Sequence, residues 1–198
     1  MIEAIEGKLT QVRASGIAEL LKVVTEQFII HCNTVNLVYE KYGKIPEGKL
    51  LAQESFDAKT QAIVSQVFTA MIIEAFYFDY YHGKKSKSEA EKWSKQSPVE
   101  KFSSLATKFW NIENIEEIEL YKQLHDLNKV RKRWVHNQST QLGRYRKDLN
   151  YLSSDGCVEL LRSFFSFVDE QDPSYKAAKL ISDYLSALQF NIKGYTGL

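Results

Sequence analysis

The amino-acid sequence predicts an all-α fold, and three observations carry that expectation. Gly and Pro are scarce, nine and three in 198 residues, whereas a sandwich or barrel needs a turn about every ten residues. Apolar residues recur at helical spacing over long stretches. No segment alternates at period two for long enough to make a convincing strand. With 44% apolar residues the chain can build a hydrophobic core, and its length suits one domain over 1–198.

The expected architecture is a single bundle of about five to six helices. The first runs from Ile17 to Tyr42, and Gly43–Gly48 with Pro46 makes the turn that stops it. The second begins near Gln53 and continues to about Tyr81, with Gly83 as its stop. Its later part, VSQVFTAMIIEAFYFDYY, is apolar nearly all round and therefore expected at the buried centre. Residues Lys84–Gln96 are charged and read as a short surface helix or a loop.

A clear start signal follows in SPVE. Ser97 caps, Pro98 suits the first helical position because its missing N–H costs nothing there, and Glu100 completes a capping box. That helix is expected to end near Asn111. The next starts near Ile115 and places Leu120, Leu124, Leu127 and Trp134 on one stripe, which assigns Trp134 to the core. After an irregular stretch over Asn137–Asp155, two further helices cover Cys157–Asp169 and the residues from the Asp172-Pro173-Ser174 punctuation to about Asn191.

The N-terminus carries acids early, so no signal peptide is evident. The longest apolar stretches contain Glu74 and Asp79 and are expected to be too short to span a bilayer, which points to a cytoplasmic chain without a membrane partner. Cys32 and Cys157 stand alone, with no CxxC or HxxxH nearby. They read as free thiols of a reducing compartment rather than as a disulfide framework or zinc ligands. No metal or other cofactor is expected. Asp79 and His82 have no accompanying ligand set, and His31 and His125 lack partners at suggestive spacing. There is no Gly-rich phosphate loop, no GxSxG and no two-metal carboxylate cluster.

Net charge is +1, but its distribution is uneven. Between Asp126 and Asp148 there is no acid, yet Lys129, Arg131, Lys132, Arg133, Arg144, Arg146 and Lys147 fall there. Such a segment suits a polyanion. On a wheel at 100° per residue, Arg131 lies within about 20° of Leu120, near the middle of the apolar stripe. A guanidinium there needs a partner, because an unpaired buried charge is very costly. Two readings stand side by side: an internal salt bridge to Glu74, or a groove at the core's edge that holds Arg131 for an anionic ligand. His136 follows five residues later, about 140° round a regular helix, and meets Arg131 only if the helix ends or distorts there or a second subunit contributes.

The segment HDLNKVRKRWVHN, with Arg131, four intervening residues and His136, resembles the R-x4-6-H motif of the HEPN superfamily. The upstream run MIIEAFYFDYY resembles the "EAF" helix of bacterial members, and SPVEKFSSLATKFW the helix that links the two. The resemblance covers about residues 53–138. It implies a HEPN-like helical domain and metal-independent RNA cleavage by a homodimer, with paired motifs meeting at a composite cleft. As a toxin or phage-defence effector, such a protein has an antitoxin or regulatory protein as a further partner.

In the chemistry so implied, His136 accepts the 2′-hydroxyl proton or protonates the leaving 5′-oxygen, and Arg131 stabilises charge on the phosphoryl oxygens. Attack by the 2′-oxygen leaves a 2′,3′-cyclic phosphate and a 5′-hydroxyl. Asn137 orients the histidine, contacts phosphate or simply ends the helix. Lys132, Arg133, Arg144, Arg146 and Lys147 track an RNA backbone while Tyr145 and Tyr151 stack on bases, or they form a solvated face with the aromatics tucked inward. Active members usually carry a small polar residue after the arginine, where this chain has Lys132. That favours the alternative: a non-catalytic HEPN-like module that binds RNA, a nucleotide or a protein. A purely structural dimerisation domain is a third possibility.

Overall fold

Seven α-helices carry the fold in the computed structural model, which describes residues 2–5, 8–11, 16–44, 49, 53–54, 58–135 and 153–188. They are α1 (Ile17–Tyr42), α2 (Ala58–Lys84), α3 (Lys87–Trp93), α4 (Pro98–Phe109), α5 (Glu119–Val135), α6 (Ser154–Gln171) and α7 (Lys176–Ala187). A 3-10 turn at Ile115–Glu117 leads into α5. Among the described residues the body is all-helical, and the segment read as a short surface helix or a loop is a helix.

That short helix is α3. Its Ser86 side chain accepts from the Glu89 backbone N–H while the Glu89 carboxylate accepts from the Ser86 N–H, a reciprocal capping box. Ala90 and Trp93 give the short helix a buried face, and the Trp93 ring stacks on Tyr81 at 4.2 Å between centroids. A departure from the sequence reading lies at the N-terminus. Ile2–Ile5 and Lys8–Gln11 pair as an antiparallel ribbon, with Ile2 opposite Gln11 and Ile5 opposite Lys8. Neither strand alternates: Ala4 and Ile5 stand side by side in the first, and the second holds Leu9 as its one apolar residue.

Helix ends follow local chemistry. Gly43 stops α1 in the left-handed conformation (φ 65°), its N–H reaching the Tyr39 carbonyl at 2.8 Å. Gly83, expected to stop α2, is instead helical, and the helix continues to Lys84. Ser97, Pro98 and Glu100 start α4 as the sequence reading has it. Asn111 (φ 56°) follows the end of α4, and the Ile112 N–H returns to the Ala106 carbonyl at 3.1 Å.

α2 occupies the centre, packed against α1, α3, α4, α5 and α6. Buried residues from all seven helices join one hydrophobic cluster. Its middle is aromatic: Phe76 meets Phe164 and Phe165 edge-on at 5.4 and 5.1 Å, and Tyr77 meets Phe164 at 5.7 Å. The expectation that this apolar run is too short for a bilayer is corrected. Thr60–Lys84 is long and apolar enough to cross a membrane by length and composition. Half of its most apolar stretch is buried inside the protein, and the core helix of a globular protein meets the same criteria of length and composition.

Two polar clasps tie the periphery to this core. Asp172, in the turn between α6 and α7, accepts from Tyr80 (2.7 Å), Ser174 and the Lys84 ammonium (2.6 Å). Trp110 Nε1 in turn donates to the Tyr80 hydroxyl at 2.9 Å. On the far side of α7, Arg162 of α6 donates to the carbonyls of Leu185 and Leu188, satisfying acceptors that the end of α7 leaves open.

Candidate anion-binding site

The seam between α2 and α5 holds the charged residues that the wheel singled out. On α5, Leu120, Leu124, Leu127, Asn128 and Val130 are all buried. Arg131 lies one turn beyond Leu127 and continues that face toward the helix end. On α2, Glu74 sits between Ala70 and Tyr77, both buried, and so projects toward α5. Arg131 Nη2 lies 3.1 Å from Glu74 Oε2, and each side chain retains 26% of its surface exposed. The guanidinium is thus at the rim of the core, held in the internal salt bridge to Glu74, and solvent still reaches the pair.

Energetically this pair is not an efficient staple. Desolvating two charges offsets much of their attraction, so a half-buried pair contributes little net stability. Arg131 Nε is moreover buried with no hydrogen-bond partner, and so is Asn128 Oδ1 one turn earlier. An orphaned buried donor or acceptor costs on the order of 1–3 kcal/mol. Beside the pair runs a narrow apolar slot between α2, α4 and α5, walled by Ile73, Tyr77, Phe102 and Leu124, with Glu74, Asn128 and His125 supplying its polar atoms.

A third charge joins from α4. Lys101 is half-buried and feels both members of the pair. Burial lowers its pKa, the Glu74 carboxylate works to raise it, and the Arg131 guanidinium lowers it further. Sequence reasoning missed Lys101. It is one lysine among many, and only the packing of α4 on α2 and α5 lets it feel their charges.

The remaining sequence candidates are placed as follows. Lys132 is exposed and acts electrostatically on Glu100 at the start of α4. Lys129, at the edge of the basic segment, is paired with Asp126 at 3.0 Å. Arg133 lies within α5. His136, Asn137, Arg144, Tyr145, Arg146, Lys147 and Tyr151 lie outside the described residues. Trp134 is half-buried rather than fully in the core: its Nε1 donates to Gln66 Oε1 of α2 at 3.1 Å, at the same α2–α5 seam. His31, read as lacking a partner, has Asp155 at 3.6 Å, brought by the packing of α6 on α1. Among the described residues no group of three His, Cys, Asp or Glu side chains is placed to hold a metal ion.

Compared with known proteins, the chain matches no family model, no curated protein and no solved structure.

Proposed function

We propose that this protein is a HEPN-like, metal-independent endoribonuclease that works as a cytoplasmic homodimer, with a toxin or phage-defence role. The observation that carries the proposal is Arg131: a guanidinium at the rim of the core, one face in protein and one in solvent, five residues before His136. RNA binds with a backbone phosphate on Arg131, whose planar fork suits two phosphoryl oxygens. The 2′-oxygen attacks phosphorus as the bond to the 5′-oxygen breaks. One His136 takes the 2′-hydroxyl proton, and the partner's His136 delivers a proton to the 5′-oxygen. Arg131 stabilises the charge that gathers on the phosphoryl oxygens. The products are a 2′,3′-cyclic phosphate and a 5′-hydroxyl.

A second reading is favoured by a specific observation. Glu74 already neutralises Arg131, and Lys132 follows it where active relatives of the motif carry a small polar residue. Under that reading the same surface binds RNA without cutting it.

Purified protein incubated with labelled RNA in EDTA separates the two. Wild type cleaves, and His136→Ala slows cleavage by roughly 10²–10⁴, the usual contribution of general acid–base catalysis. Equal cleavage by both proteins removes His136 from the mechanism. Binding that weakens steeply with salt, without cleavage, favours the module.

A further inference from the structure

We propose that the groove between α1, α2 and α7 binds a small organic ammonium ion carrying an apolar ring, and that Asp79 is the residue that takes its charge. The inference is independent of the reading of Arg131. Asp79 follows Glu74 by five residues and so lies about 140° round α2 from it, on the side that α1 and α7 cover.

The groove has about 240 Å³ of space and is partly open to solvent. A benzene ring fits in roughly 150 Å³, so a ring with a short charged arm is the right size of occupant. Phe76 and Tyr175 supply aromatic surface, with their rings edge-on at 5.7 Å, and Tyr80 supports Tyr175 from behind at 4.8 Å. Leu21 from α1 and Leu180 and Ile181 from α7 complete the apolar walls. Leu180 keeps 69% of its surface exposed, more than any other large apolar side chain among the described residues. An apolar ring seated in the groove removes such surface from water.

Asp79 is the one charged side chain in this lining, and Phe76 stands one turn before it on the same face of α2. The cations carried nearby are turned to other partners. Lys22 pairs with Glu26 at 3.8 Å, Lys84 with Asp172 at 2.6 Å and Lys179 with Asp183 at 3.5 Å, while Lys176 donates to the Pro173 carbonyl at 3.0 Å. The His82 ring, one turn beyond Asp79, stacks on Phe78. Among the described residues Asp79 therefore takes part in no ion pair. A carboxylate beside apolar walls attracts a cation more strongly than one in open water. A single carboxylate in an apolar groove is a poor seat for a hard metal ion, which needs several oxygen ligands. An ammonium ion on an apolar ring matches both parts: its charge meets Asp79 and the aromatic faces, and its ring meets the aliphatic walls. Tyr175 adds no competing negative charge, because burial, then Asp79 and Asp172, push its pKa up and keep the hydroxyl neutral.

Calorimetric titration with phenethylamine, phenethyl alcohol and phenylacetate tests this on wild type, Asp79→Asn and Leu180→Lys, each checked for helicity. Wild type binds the amine about tenfold more tightly than the alcohol, and phenylacetate more weakly than either. Asp79→Asn weakens the amine by about tenfold and leaves the alcohol within about threefold of wild type. Leu180→Lys, which sets a cation at an exposed position of the groove, also weakens the amine by about tenfold. The proposal is overturned if Asp79→Asn binds the amine as wild type does, or if wild type binds amine and alcohol equally. It is equally overturned if wild type binds no amine at about millimolar concentration. Should Leu180→Lys dissociate a wild-type dimer in sedimentation while amine affinity stays unchanged, the groove belongs to a second copy of the chain and the proposal falls.

Discussion

Asp172 shows how much one carboxylate can organise. Burial pushes its pKa up, but the hydrogen bonds from Lys84, Ser174 and Tyr80 more than offset that and leave it at about 2. Because the folded pKa lies below the ordinary value of 3.8, its stabilisation is complete above that value and lost as pH falls through about 2. Asp172→Asn is expected to cost about 2 kcal/mol near neutral pH, the size of a lost charge-assisted hydrogen bond in a partly buried place. In urea titrations the gap between variant and wild type narrows from about pH 4 to about pH 2; a gap that stays constant contradicts the assignment. The two thiols behave oppositely. Burial pushes Cys32 and Cys157 up to about 12, so both are inert to iodoacetamide in the folded protein at mildly alkaline pH and alkylated only after denaturation. Fast alkylation of the native protein contradicts their burial. At this scale the sequence disclosed some residues and concealed others. Free cysteines and an oddly placed Glu74–Arg131 couple were legible from spacing and the wheel. Lys101, Asp172 and the His31–Asp155 contact were not, because each depends on which helices pack together.

Helices register their own chemistry more openly. The SPVE signal marks the start of α4 because every part of the cap lies within four residues. Ser97→Ala removes the acceptor for the Glu100 N–H and is expected to lower stability by about 0.5–2 kcal/mol, read from the urea midpoint. An unchanged midpoint means the cap contributes nothing. The same S-x-x-E pattern stands at Ser86 and Glu89 and announces α3, although the surrounding charge makes the segment look like a surface loop. Gly83 misleads in the other direction: a glycine is a stop signal only where the chain needs a left-handed turn, and here the last turn of α2 simply runs through it. Arg162, whose clasp on α7 joins two helices, has no local signature at all.

Across the whole molecule, the aromatic interior packs α2, α4 and α6 together, and α5 closes on α2 so that Arg131 meets Glu74. Phe164 is fully buried and makes edge contacts with Phe76 and Tyr77. Phe164→Ala is expected to cost about 3–5 kcal/mol, read as a lowered denaturation midpoint. The all-helical class was legible because a burial pattern repeated along long helices averages over many residues. The site was legible only in part, since α5 carries its arginine in a recognisable pattern while the neighbours that tune it come from two other helices. The nuclease reading joins these scales in a single chemical outcome, the end groups left on cut RNA. Mass spectrometry of RNA treated with the protein in EDTA is expected to show 2′,3′-cyclic phosphate and 5′-hydroxyl ends that vanish with Arg131→Ala. Ends bearing a 3′-hydroxyl and a 5′-phosphate, or RNA left intact by the wild-type protein, contradict it.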